Sequence, residues 1–167
     1  KNGGITDGIW SEFDGEWWCS TATFGTFLLH LYAETSDLQY RTAGLRALDW
    51  LAHQDMRKAE HISFEESAPG VVFYCGEFFA TACHFLKVDE YKDALPQIEI
   101  ALQWMAENQK GRGATTRWNY LKEATYMSGM PYIMYVFART LPQHQDLNAV
   151  ADQELNYVAA LLSNPDT

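Results

Sequence analysis

The chain has 167 residues, of which 47% are hydrophobic and 20% are charged, a composition typical of one globular domain and not of a disordered segment. Its formal net charge of −10 repels phosphate groups, so we expect neither nucleic acid nor an anionic membrane as a partner, while neutral or cationic ligands, sugars included, remain open. No segment has the apolar length of a membrane span, and the odd number of cysteines, three, favours a reducing compartment such as the cytoplasm.

The first predicted pair of helices begins with an apolar segment, residues 24–32. A helix without a polar side is buried by its neighbours, so we expect this one to be interior. After a short connection at 35–37, where Ser36 or Asp37 is a suitable N-cap, an amphipathic helix follows. Its apolar stripe has helical spacing and comprises Tyr40, Ala43, Gly44, Ala47, Leu48 and Leu51, opposite the polar Thr42, Arg46, Asp49 and His53.

The second and third pairs repeat this order. Apolar helices are predicted at 71–86 and 130–138, with short connections at 88–90 and 142–146. Pro96 is expected in the first turn of the second amphipathic helix, after an Asp93 cap. The apolar stripes of the two amphipathic helices are Tyr91, Leu95, Ile98, Leu102 and Met105, and then Leu147, Ala151, Leu155, Val158 and Leu162.

Matching segments recur at nearly one interval, which predicts a repeated two-helix unit. Trp17-Trp18-Cys19-Ser20, Phe73-Tyr74-Cys75-Gly76 and Tyr126-Met127-Ser128-Gly129 open the three apolar helices. We therefore predict an all-α fold of three antiparallel helical hairpins, each with an inner apolar and an outer amphipathic helix, that form a partial α/α toroid or a short solenoid. The whole chain, 1–167, is expected to be one such domain and part of a larger protein.

The long connections of this fold are the arm at 1–16 and the loops at 55–70 and 109–123, and all are expected at the N-terminal ends of the inner helices. Loops of this length are uncommon unless they are functional. Aromatic rings stack on sugar C–H faces, and paired acids act as general acid, base or nucleophile. The expected catalytic residues are Glu77, Glu12, Asp14, Glu65 and Glu66, and the expected substrate-binding residues are Trp10, Trp17, Trp18, Tyr74, Trp118, Tyr120, Tyr126 and Arg117. The alternative is that these are solvated charges, with aromatic rings that pin the loops.

The inner helices also carry polar positions at helical spacing, namely Thr23, Thr26 and His30, then Glu77, Thr81 and His84, then Ser128, Tyr132, Tyr135 and Arg139. If these stripes face a common axis, they line a polar groove or an oligomer interface. Otherwise the hydroxyls donate hydrogen bonds to carbonyls of their own helix, and each histidine is buried with hydrogen-bond partners in the core. Under this alternative Glu77 lies in a first helical turn, where the helix dipole stabilises its negative charge.

Cys19 and Cys75 occupy matching positions on two inner helices, where two thiolates could share a zinc ion with His61 as a further ligand. No Cys-x-x-Cys or His-x-x-x-His spacing accompanies them. We therefore expect no metal and no cofactor, and interpret the cysteines as small buried hydrophobic residues.

The segment 40–51, Tyr-Arg-Thr-Ala-Gly-Leu-Arg-Ala-Leu-Asp-Trp-Leu, resembles the outer helices of α/α-toroid proteins such as the six-hairpin glycosidases and related lyases and epimerases. The resemblance implies an active site of aromatic and acidic residues at the N-terminal face of the inner helices. Trp18-Cys19-Ser20 and Tyr74-Cys75-Gly76 are similar to the zinc motifs of lanthionine-synthetase cyclases, although Gly76 stands where their histidine would be. Those toroids close with more hairpins than three, so this chain would be a fragment, a partner in an assembly or a short open solenoid.

Two functions remain open at this point. The first is a carbohydrate-directed toroid domain of glycosidase, lyase or epimerase type with a saccharide ligand. The second is a noncatalytic helical-repeat module that binds a protein or forms a homo-oligomer, for which a large contiguous apolar patch would be the sign. Whether the chain is an enzyme depends on this choice.

Overall fold

The structure, a computed structural model, describes residue 4 and residues 18–55, 67–109 and 130–163. The secondary structure in these ranges is helical, without a strand, which confirms the all-α class. The helices are α1 (Trp18–Thr35), α2 (Leu38–Ala52), α3 (Ser67–Phe85), α4 (Val88–Tyr91), α5 (Leu95–Gln109), α6 (Met130–Thr140) and α7 (Leu147–Ser163), with short 3₁₀ turns at Lys92–Ala94 and Pro142–His144. The chain divides into two compact units, Lys1–Ala101 and Leu102–Thr167, and the single domain over 1–167 stays a prediction.

Helices α1 and α2 form an antiparallel hairpin through the short connection predicted at 35–37. Ser36 adopts a left-handed backbone conformation with φ of 58°, and the Asp37 carboxylate accepts a hydrogen bond of 2.8 Å from the backbone N–H of Gln39. Asp37 is therefore the N-cap of α2. Leu29 of α1 lies over Gly44 of α2, where an added Cβ would be 2.7 Å from Leu29 Cδ2, so the small residue lets the two helices approach closely.

The predicted two-sided character of α2 is confirmed. The core positions of its apolar stripe, Gly44, Ala47, Leu48 and Leu51, are buried, and Tyr40 and Ala43 are half-buried. The opposite side is exposed along Thr42, Arg46, Asp49 and His53. Burial of the stripe against α1 supplies the stabilisation that short isolated helices lack.

Helices α1 and α3 pack side by side and run parallel. A Cβ added at Gly25 would overlap the ring of Phe78, and further along both helices the ring of His30 lies edge-on to that of Phe85, with 5.1 Å between centroids. The contacts advance in the same direction on both helices, which defines the parallel orientation. Around them, α3 is buried at Cys75, Gly76 and throughout 78–83, which confirms α3 as an interior helix.

The prediction that residues 24–32 are buried all round is wrong for α1. Its buried stripe consists of Thr21, Ala22, Gly25 and Leu29, while Phe24 and Phe27 are 53% and 55% exposed. The reason is that α2 and α3 pack against adjacent sides of α1, and no other helix of the described ranges packs extensively on its third side.

The start of α3 also differs from the prediction. The helix begins at Ser67 and not at 71. Pro69 does not prevent the earlier start, because the N–H groups of a first helical turn have no partner within the helix and a proline there loses no hydrogen bond. Glu77 is consequently in the middle of α3, and the helix-dipole explanation for it is wrong. The connection predicted at 88–90 is instead the short helix α4, followed by the 3₁₀ turn Lys92–Ala94. Asp93 lies within that turn and does not directly precede α5, which begins at Leu95. Pro96 is the second residue of α5 and so lies in its first turn, as expected.

The outer side of the first unit is joined by a charge pair. The Arg41 guanidinium of α2 pairs with the Glu90 carboxylate of α4, and the second Glu90 oxygen accepts a hydrogen bond of 3.0 Å from the backbone N–H of Lys87. Arg41 also lies over the ring of Tyr32, 5.9 Å from its centroid. One arginine thus connects α1, α2 and the beginning of α4.

In the second unit, α6 and α7 form a hairpin through the predicted connection, which contains the 3₁₀ turn Pro142–His144. The Tyr135 hydroxyl donates a hydrogen bond to the Asp152 carboxylate across the hairpin. Leu147 and Ala151 are buried as predicted, but Leu155 is 42% exposed, so the predicted α7 stripe is wrong at that position. The side chains of three further stripe residues lie outside the described ones, namely Met105, Val158 and Leu162.

Candidate functional site

The exposed side of α1, which α2 and α3 do not cover, continues onto α3. We call this surface the α1/α3 face and define it by five residues, Thr23, Phe27 and His30 on α1 and Glu77 and His84 on α3. The α1 members are separated by four and three residues and therefore lie on one side of that helix. All five are exposed except Glu77, which is half-buried.

His30 connects the two helices of this face. Its ring contacts the Phe85 ring edge-on, and Phe85 in turn contacts the ring of His84, with 4.7 Å between centroids. His30 is also close enough to Glu77 to act on it electrostatically. The structure therefore brings together two polar stripes that the sequence placed on separate helices.

The threonine hydroxyl groups of the two stripes differ from one another in their hydrogen bonding. Thr81 donates a hydrogen bond of 2.8 Å to the backbone carbonyl of Glu77, as the alternative interpretation of the stripe predicted. The Thr26 hydroxyl is buried and has no partner in the part of the chain that the structure describes. The same alternative is wrong for both histidines, because His30 and His84 are exposed and not satisfied in a core.

Glu77 is the acidic member of the α1/α3 face. Partial burial raises the pKa of its carboxyl group, and the nearby His30 opposes that rise. Burial disfavours the charged form of a carboxyl because it removes water from the carboxylate. A carboxyl group that retains its proton at higher pH is suited to donate that proton to a bound molecule.

Two cysteines lie at one level of the parallel pair, as their matching positions predicted. Burial raises the pKa of the Cys19 thiol to about 11, and burial together with the charge that Cys19 can carry raises the pKa of Cys75 well above its usual value. Thiols of this kind are protonated at neutral pH, whereas metal binding and nucleophilic attack need the thiolate. Residues 18–55, 67–109 and 130–163 contain no cluster of three or more metal-ligating side chains, and His61 lies outside them.

Of the residues predicted from the sequence to form the site, the structure describes Glu77, Trp18 and Tyr74. Trp18 is the first residue of α1 and is half-buried; Tyr74 is half-buried on α3, with its ring 5.3 Å from that of Phe73. Tyr74 precedes Glu77 by three residues, so both lie within one turn of α3. The remaining residues lie outside the described ones, namely Glu12, Asp14, Glu65, Glu66, Trp10, Trp17, Trp118, Tyr120, Tyr126 and Arg117, as does Ser128 of the third polar stripe.

Sequence reasoning assigned Phe24 and Phe27 to the core and so missed them as surface residues. Nothing in the apolar pattern of α1 distinguishes an exposed ring from a buried one. The available sign was the spacing of Thr23, Phe27 and His30, which places an aromatic ring between two polar side chains on one side of a helix.

No family model matches the chain, and neither does any curated protein or solved structure. None of the helices described is long and apolar enough to cross a membrane. A functional assignment therefore depends on the α1/α3 face itself.

Proposed function

We propose that the chain is a carbohydrate-directed domain of α/α-hairpin type, in which α1 and α3 are neighbouring inner helices of a partial toroid and the α1/α3 face borders the saccharide site. The antiparallel step from α1 to α2 and the parallel packing of α1 with α3 support this arrangement, because inner helices of a hairpin repeat run in one direction.

The observation that carries the proposal is the environment of Glu77. A half-buried carboxyl group with a raised pKa is within electrostatic reach of the His30 imidazole, on a surface that also presents the exposed ring of Phe27. In glycoside cleavage one carboxyl group gives its proton to the departing oxygen, while a second carboxylate acts as base or nucleophile. Glu77 takes the first role in our proposal, and the acids of the long connections, Glu12, Asp14, Glu65 and Glu66, are the candidates for the second.

A turnover assay with three chains tests this role. Neutral oligosaccharides are incubated with the wild type, Glu77→Gln and Asp49→Asn, and the products are followed by mass spectrometry. Asp49 is the matched control because it is an exposed acid on the polar side of α2. We expect Glu77→Gln to lose about 100-fold or more of the activity, the contribution of a general acid, and Asp49→Asn to retain it. Equal turnover by all three chains, or no turnover and no binding at millimolar saccharide, would contradict the proposal.

The noncatalytic alternative has one observation in its favour. Phe24 and Phe27 are large exposed apolar side chains one turn apart, and contiguous apolar surface is a mark of protein interfaces. Under this alternative the wild type would dimerise in sedimentation velocity experiments, Phe27→Ser would remain monomeric, and saccharides would not bind to either chain.

A further inference from the structure

We draw no further inference here: the strongest candidate, the exposed aromatic surface that Phe24 and Phe27 form on α1, is an apolar helix face, and nothing in the structure shows what covers it.

Discussion

The Glu77 carboxyl group is half-buried in the middle of α3, and His30 of the neighbouring helix α1 acts on it electrostatically. Its raised pKa means that the folded chain binds this proton more tightly than the unfolded chain does. The contribution of Glu77 to stability is therefore greatest below the pKa of the unfolded chain, and it declines as the pH rises through the higher folded-state value. Ionised Glu77 therefore destabilises the fold above that pH, and this destabilisation arises from the same partial burial that suits the carboxyl group to donate a proton.

A neutral side chain at position 77 should recover the stability that the folded chain loses when the Glu77 carboxyl group ionises. We predict that Glu77→Gln unfolds at a higher urea concentration than the wild type at pH 7, because glutamine is neutral at every pH. Below about pH 3, more than one unit under the ordinary Glu pKa of about 4.3, the wild-type carboxyl is protonated in both states and the difference should vanish. Urea midpoints of both chains at the two pH values provide the test, and a difference that is independent of pH would show that burial does not penalise the carboxylate.

Gly25 is the residue on which the close approach of α1 and α3 depends. Gly25→Ala places a methyl group where the Phe78 ring lies, and Phe78 is fully buried, so the ring has little room to move. We predict a loss of about 1–3 kcal/mol in the free energy of unfolding, the usual cost of an overpacked core, even though alanine is the better helix former.

Gly44→Ala is the matched control for this prediction. There the nearest atom is the end of the Leu29 side chain, at 2.7 Å, and a leucine terminus can rotate away more easily than a ring. We expect a smaller loss than for Gly25→Ala in the same chemical denaturation experiment. A Gly25→Ala chain as stable as the wild type would mean that α1 and α3 are not in such close contact.

The α1–α2 hairpin is the element whose ends are best defined. Its second helix begins where Asp37 accepts the backbone N–H of Gln39, and its apolar stripe faces α1. We predict that Asp37→Ala lowers the stability by about 1 kcal/mol, while Asp37→Asn retains most of it, because asparagine caps nearly as well. Thermal or urea unfolding of the two variants measures this, and equal losses would mean that the cap is not the cause.

How far an element could be predicted depended on whether it has a polar side. The apolar stripe of α2 was predicted residue by residue, since polar residues on one side of the helix and apolar residues on the other indicate which side faces the core. For α1 the apolar pattern could not tell which side its neighbours cover, so exposed Phe24 and Phe27 were placed inside. For Glu77 the misplacement came from Pro69 and Gly70, which are typical of loops but here belong to the first turn of α3.

On the scale of the whole molecule, the all-α class and the hairpins α1–α2 and α6–α7 followed from the sequence, because short connections join each apolar helix to an amphipathic one. The toroid or solenoid arrangement stays a prediction, since it depends on how successive hairpins are placed and a periodic pattern does not specify that angle. The placement of His30 within electrostatic reach of Glu77 could be anticipated only as an alternative. It requires α1 and α3 to be parallel neighbours in register, and this is the feature on which the α1/α3 face depends.

Distances between spin labels test that feature most directly. Labels are attached at Lys87, just beyond α3, and at either Glu34 or Thr23 on α1, in a Cys19→Ser chain whose other two cysteines are buried. Parallel packing puts Lys87 near the C-terminal end of α1, so the Glu34–Lys87 distance should be the shorter one. Thr23 is eleven residues earlier, so the Thr23–Lys87 distance should be longer by on the order of 10 Å, given a rise of about 1.5 Å per residue. Equal distances, or a shorter Thr23–Lys87 distance, would contradict the parallel pair and with it the shared face of His30 and Glu77.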